Sequence, residues 1–200
     1  MTESPTRTPQ PERTRLMRQR LLEATVDSLV EVGWAGTSTT VVSQRAGVSR
    51  GAQLHHFPSK QDLVVAAVEY IAERRREELA IDPDELPESG RTRVVLGLLS
   101  HLVTSPAFLA ALELWVAART DPDLLEKVAP FERRLGRETH ARAVELLEVD
   151  ESRGRNRQLV QATLDLLRGL GLAATLTDDS ARRASILDAW ADTLDRELER

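Results

Sequence analysis

Apolar residues recur along most of this chain at intervals of three and four, the period of an α-helix. Leu21, Leu22, Thr25, Val26, Leu29 and Val30 fall at i, i+1, i+4, i+5, i+8 and i+9, one face of a first helix. Gly33 reads as a stop signal near its end. The run GTSTT (36–40) offers Thr37 or Ser38 as the N-cap of a short second helix that carries Val41 and Val42. Ala46-Gly47-Val48 makes a turn, and a third helix is expected from about Ser49 to His56. Pro58 blocks simple continuation, and Ser59-Lys60-Gln61-Asp62 is a capping-box-like start for a long fourth helix to about Ala80.

IDPDELPESG (81–90) holds two prolines and a glycine and reads as the clearest internal linker. Beyond it helices are expected near 91–105, 107–119, 122–149, 155–177 and 179–199, separated by Pro106, Asp121-Pro122 and Gly154. No stretch alternates with period two for long enough to suggest a sheet, so the expected class is all-α. Residues 1–12, with three prolines, read as a flexible arm. Residues 13–74 form a first domain and 75–200 a second, helical one.

Composition narrows the possibilities. The chain has 200 residues, 41% of them hydrophobic and 30% charged, as a folded globular protein has. It contains no cysteine, which removes disulfides, thiolate nucleophiles and Cys-ligated zinc and fits a reducing cytoplasm. The start has no apolar leader-like run, and no apolar run approaches the roughly 18 residues of a membrane span. Net charge is −5, yet residues 1–60 carry eight Lys and Arg against five Asp and Glu. The basic character is local, so the global charge is a poor guide to partners.

That basic region contains AGVSRGAQLHHF (46–57) followed by PSK. Two short helices joined by a Gly-containing turn form a helix-turn-helix, whose second helix fits the DNA major groove. Turned at 100° per residue, the third helix is expected to bury Leu54 and Phe57 and to present Gly51, Ala52, His55 and His56. Gly51 permits close approach, Ala52 suits a thymine methyl, and the histidines can donate to phosphates or base acceptors. Arg50, Gln53 and Lys60 flank this face, and Lys60 adds charge to the free N–H groups that open the fourth helix. The competing reading is a solvated turn with ordinary surface histidines. The spacing, the capped fourth helix and the local positive charge together favour double-stranded DNA.

VGWAGTST, AGVSRG, HHF and PSKQDLVVAAVEYI together resemble the DNA-binding domain of the tetracycline-repressor (TetR) family, over residues 14–74. The resemblance implies an all-helical homodimer whose second domain binds a small molecule that sets DNA affinity. By position it places DNA contacts at Thr39, Thr40, Ser49, Arg50, Gly51, Ala52, His55, His56 and Lys60. The family commonly has Leu-Tyr where this chain has Gln53-Leu54, so a frequent tyrosine contact is missing, and Gln53 is a candidate substitute through adenine. The resemblance also implies residues 155–199 as the dimer seam, with Gly169 and Gly171 permitting close helix approach. Two-fold symmetry then calls for a palindromic operator, and the leading reading is a cytoplasmic repressor, rather than an activator, released by an unknown effector.

AFLAALELWVAA (107–118) holds one polar side chain, Glu113, so this helix is expected to be walled in on all sides. In the family a helix here lines the ligand cavity, which makes Phe108, Leu112, Trp115 and Val116 pocket candidates. Glu113 either meets a ligand or partner there or points to water. His101 and Arg119 are its possible partners or unrelated surface groups. RGLGLAA (168–174) contains GxGxxA, but no strand precedes it and a dinucleotide site is not expected. No metal-binding His-Glu pattern, nucleophile elbow or phosphate loop is present, so neither an enzyme nor a cofactor is expected. Two other classes stay open: a regulator of the same fold answering to a protein partner, and a helical enzyme with a vestigial DNA domain.

Overall fold

The computed structural model describes residues 10–78 and 80–199. Among them are nine α-helices, one 3-10 turn and no strand, in the order α1 (Gln10–Gly36), α2 (Thr39–Ala46), α3 (Arg50–His56), α4 (Lys60–Glu78), the turn Pro83–Glu85, α5 (Arg91–Val103), α6 (Pro106–Ala118), α7 (Pro122–Leu147), α8 (Asn156–Ala173) and α9 (Ser180–Glu197). Of the expected flexible arm, residues 1–9 lie outside the described residues. Residues 10–12 are the first turn of α1 instead, because Pro11 sits where a helix lacks N–H partners and Thr14 ties its hydroxyl to the Gln10 carbonyl at 3.0 Å.

Packing divides the chain into two compact units that do not follow its linear order. One holds the chain up to Ile71 together with Ala110–Lys127; the other holds Ala72–Leu109 and the chain from Val128 onward.

In the first unit α1 packs on α2 and α2 on α3. The helix starts follow from their caps. Ser38 accepts from the Val41 N–H and Ser49 from the Ala52 N–H, both at 3.2 Å. Gly47 ends α2 in the left-handed conformation (φ 64°, ψ 34°) that glycine adopts most cheaply. Ser59 and Asp62 cap α4 reciprocally, through the Asp62 N–H to Ser59 Oγ at 3.0 Å and the Ser59 hydroxyl to the Asp62 carboxylate at 2.6 Å. Lys127 and Ser59 hold the Asp62 carboxyl below its usual range.

In the second unit α5, the end of α7, α8 and α9 share a core of Val95, Leu96, Leu99, Leu146, Leu147, Val160, Leu164, Leu167, Ala191 and Leu194. The Pro-rich linker is pinned here. Buried Arg91 donates to the carbonyls of Pro83, Leu86 and Leu146 and pairs with Glu148 at 3.0 Å. Asn156, fully buried, donates to the carbonyls of Asp150 and Glu199 and accepts from the Glu199 N–H, which closes the C-terminal end onto the start of α8. Gly171 belongs to this packing: a Cβ there would lie 2.5 Å from the Val103 carbonyl and 2.8 Å from Phe108. Its smallness therefore serves packing inside one chain, not the dimer approach the resemblance suggested. Gly169 faces open space.

Candidate nucleic-acid interface

The outward face of α3 is Arg50, Gly51, Leu54 and His55, all exposed, with Ala52 and His56 half-buried at its margins. Gly51 stands in regular helix, and a Cβ there would meet nothing within 4 Å, so nothing inside the protein requires glycine. What it leaves free is room for something outside. Arg50 has no hydrogen-bond or ion-pair partner among the described residues. The His55 and His56 rings stand edge to face with centroids 5.5 Å apart, and His56 leans toward Phe57 at 6.4 Å. Thr40 and Ser49 are exposed and Thr39 half-buried, at the starts of α2 and α3.

Two expected orientations are reversed. Gln53 is 0% exposed, and its amide donates to the Phe57 carbonyl at 2.7 Å, so it cannot read a base. That bond satisfies the amide nitrogen at the end of α3, while the amide oxygen is buried without a hydrogen-bond partner among the described residues. Leu54 is the residue turned outward, 41% exposed, beside Gly51 and Arg50. The direction of burial is set by Gln53 and Phe57, and not by the side that polarity alone suggests. An apolar side chain in the place of Leu54 suits the methyl group of thymine.

Lys60 is engaged inside the protein, on Trp34. Its ammonium lies 3.9 Å from the Trp34 ring centroid and donates to the Trp34 carbonyl, and burial there pushes its pKa down.

The Trp34 carbonyl accepts because α1 is broken just before it. Gly33 takes φ 66° and ψ −176°, a region open essentially to glycine alone, and the helical hydrogen bonds are interrupted there. The Trp34 N–H donates to the Glu113 carboxylate at 2.7 Å. A Cβ at Gly33 would lie 2.8 Å from the same oxygen. One residue beyond a kink, Trp34, is thus held by an anion on its N–H and a cation on its carbonyl (Glu113 and Lys60). A hydrogen bond to a charged group contributes about 1.5–3 kcal/mol. Thr37 completes the junction, its hydroxyl on the Gly33 carbonyl at 2.8 Å and against Ser28 at 3.0 Å.

The other residues proposed for a ligand pocket do not share one place. Phe108 is buried against Gly171, Leu112 and Trp115 are half-buried, and Arg119 is exposed. Val116 is 67% exposed, because the segment 107–118 is not enclosed on all sides despite its composition. His101 lines a cleft of about 310 Å³ between α5 and α9, with Arg93, Ser100, Arg183, Leu187 and Asp188. Sequence reasoning also missed Arg18, whose guanidinium stacks 4.7 Å from the Phe57 ring centroid at the end of α3.

The comparisons with known proteins agree with this geometry. The family model described as "Bacterial regulatory proteins, tetR family" matches residues 21–67, from the first buried leucines of α1 into α4. The HTH-type transcriptional regulator CymR of Pseudomonas putida is 34% identical over 187 residues, covering 90% of this chain and 89% of that protein. An HTH-type regulator of Mycobacterium tuberculosis is 35% identical over 108 residues, and the chain spans about half of its length, 55%. A transcriptional regulator from Rhodococcus superposes with a TM-score of 0.71 at 22% identity over 92% of this chain and 98% of that one. One from Saccharomonospora viridis, in complex with choline, superposes at 0.68 with 16% identity over 92% and 98%. With a helix-turn-helix of this build and a relative this similar along nearly its whole length, the chain belongs to the TetR family of DNA-binding transcriptional regulators, which are not enzymes.

Proposed function

We propose that this protein is a cytoplasmic repressor that binds an inverted-repeat operator as a homodimer and is released by a small molecule. The observation that carries the reading is the outer face of α3, where an unpaired arginine, a glycine with no internal role, an exposed leucine and a histidine stand together. Arg50 suits a phosphate or a guanine edge, Leu54 a thymine methyl and His55 a base acceptor. Thr39, Thr40 and Ser49 supply hydroxyls to the backbone beside them.

The dimer reading is supported by α8. Ala162, Leu166, Gly169 and Leu172 run at helical spacing along the side turned away from its own core, with Leu172 57% exposed, and Leu176, in the turn that follows α8, is 87% exposed. A two-fold pair brings two copies of α3 to successive major grooves, about 34–36 Å apart in the simplest arrangement.

The release is carried by α6. Its Glu113 holds the backbone beyond the kink of α1, so an effector that shifts α6 acts on the body that carries α3. An effector preferring the released state 100-fold contributes about 2.7 kcal/mol to release. The choline held by the Saccharomonospora viridis relative supports a small organic molecule as effector.

Selection of bound duplexes from a random pool tests the reading. An inverted repeat with half-site centres about one helical turn apart, or a multiple of it, is expected. Recovered duplexes sharing no motif would overturn it.

A further inference from the structure

The cleft between α5 and α9 lies wholly within the second unit, where two stripes of mostly small residues face each other. α9 turns Ser180, Arg183, Ala184 and Leu187 toward α5 at i, i+3, i+4 and i+7, and the same stripe continues into the core as Ala191 and Leu194. α5 meets it with Gly97, Ser100, His101 and Thr104 at the same spacing. The helices run antiparallel, since Thr92 bonds Asp195 and Arg93 bonds Asp192 further along. Large apolar side chains would close this gap. Glycine, alanine and hydroxyls leave about 310 Å³ open, at the small end of ligand pockets, about 300–1,000 Å³.

Two of these residues have no partner inside the chain that explains them. Gly97 stands in mid-helix, where glycine is among the least favourable residues, and a Cβ there would meet nothing within 4 Å. No internal contact requires it, and it keeps the floor of the cleft open. Ser100 is nine-tenths buried and lines the cleft, yet its hydroxyl has no hydrogen-bond partner among the described residues. A buried hydroxyl left unpaired is costly, and a helical serine commonly bonds the carbonyl one turn back.

The walls select the occupant. Leu96, Ala184 and Leu187 give the floor an apolar surface. Arg183, half-buried, gives one nitrogen to Asp179, a carboxylate that Arg182 shares at 3.2 Å. Arg183 makes no other hydrogen bond among the described residues, so the rest of its planar fork is open to a carboxylate. The Ser100 hydroxyl and the His101 ring stand on the facing helix. Neither Asp178 nor Asp179 lines the cleft. Asp188 does, toward the other end, where Arg93 holds it at 3.4 Å.

We propose that this cleft binds a compact monocarboxylate with an apolar body, its carboxylate on Arg183 and Ser100 and its body over Leu96, Gly97, Ala184 and Leu187. The site stands on helices other than α6, and its test needs no DNA.

Isothermal titration calorimetry on the full chain compares cyclohexanecarboxylate with the neutral cyclohexylmethanol and the cation cyclohexylmethylammonium. One carboxylate per protomer is expected, with a dissociation constant on the order of 0.1–1 mM. The alcohol, lacking a charge-assisted bond to Arg183, should bind at least about tenfold more weakly, and the cation more weakly still. Gly97→Leu fills the cleft from its floor and should abolish binding. Leucine favours the helix, so this variant should melt no lower than the wild type. Arg183→Gln should remove the preference for the carboxylate over the alcohol. Arg182→Gln, changed at the partner of Asp179 outside the cleft, should bind as the wild type does. Ser100→Ala should weaken binding by about three- to tenfold. The proposal is overturned if the carboxylate binds no better than the alcohol or the cation, if it shows no saturable binding, or if Gly97→Leu or Arg183→Gln binds it with wild-type affinity.

Discussion

Gly33→Ala is expected to destabilise the protein by about 1–3 kcal/mol through backbone strain alone, since φ 66° with ψ −176° is closed to residues with a Cβ. Steric overlap adds to that, because the new methyl would lie 2.8 Å from the Glu113 oxygen that accepts from Trp34. The carboxylate must withdraw, and the Trp34 N–H then loses a partner at a site half shielded from water. At this chain length the melting temperature should fall by roughly 2–4 °C for each kcal/mol. Glu113→Ala separates the two causes. Alone it should cost on the order of 1–3 kcal/mol, the penalty of an unmade hydrogen bond, while Glu113→Gln keeps an acceptor and loses less. Combined with Gly33→Ala it should cost less than the sum, because the truncated side chain no longer opposes the methyl. Strictly additive losses in thermal melts would show that the two residues do not act on each other.

Charging the outer face of α8 and the turn that follows it should have a larger effect on function and a small one on folding. Leu172 and Leu176 are among the most exposed large apolar residues and stand outside their own core. Leu172→Glu/Leu176→Glu should therefore preserve helix content while placing four like charges in the seam of a two-fold pair. Monomers are expected, with operator affinity lowered about 10²–10⁴-fold, the range gained when a second half-site is bound intramolecularly. Trp190 is a poorer probe of the same seam, since its indole N–H donates to Thr163 at 2.9 Å inside one chain and its removal would disturb the core. Sedimentation of the double variant as an intact dimer would remove α8 from the interface.

The helices and their caps were legible in the sequence because each rests on local chemistry. Ser38, Ser49, Gly47 and the Ser59–Asp62 pair act within four residues of themselves, and the apolar period of α1 and α5 to α9 follows from burial on one side. The orientation of α3 was not legible. Polarity predicts Gln53 outside and Leu54 inside, whereas the glutamine is buried with its amide nitrogen on the Phe57 carbonyl and the leucine is turned outward. Glu113 was singled out as a lone carboxylate among apolar neighbours, but its acceptor role depends on Trp34, 79 residues earlier. No spacing rule connects them. The Lys60–Trp34 contact was hidden for the same reason: the sequence places Lys60 at the N-terminus of α4, and only the fold brings the Trp34 ring against it. The local excess of Lys and Arg was visible, but the contact of Arg18 with the Phe57 ring was not.

The outward face of α3 as the sequence reader is tested most directly by discrimination between a selected duplex and its scrambled counterpart, measured by anisotropy at one fixed salt concentration. The wild type should prefer the selected duplex by at least about 10³-fold. Arg50→Ala/Leu54→Ser/His55→Ala should bind the two duplexes nearly equally while retaining its helix content. Gln53→Leu, altered on the buried side of the same helix, should keep the wild-type preference. If the triple variant still discriminates, or if Gln53→Leu alone abolishes discrimination, another surface of this protein reads the DNA.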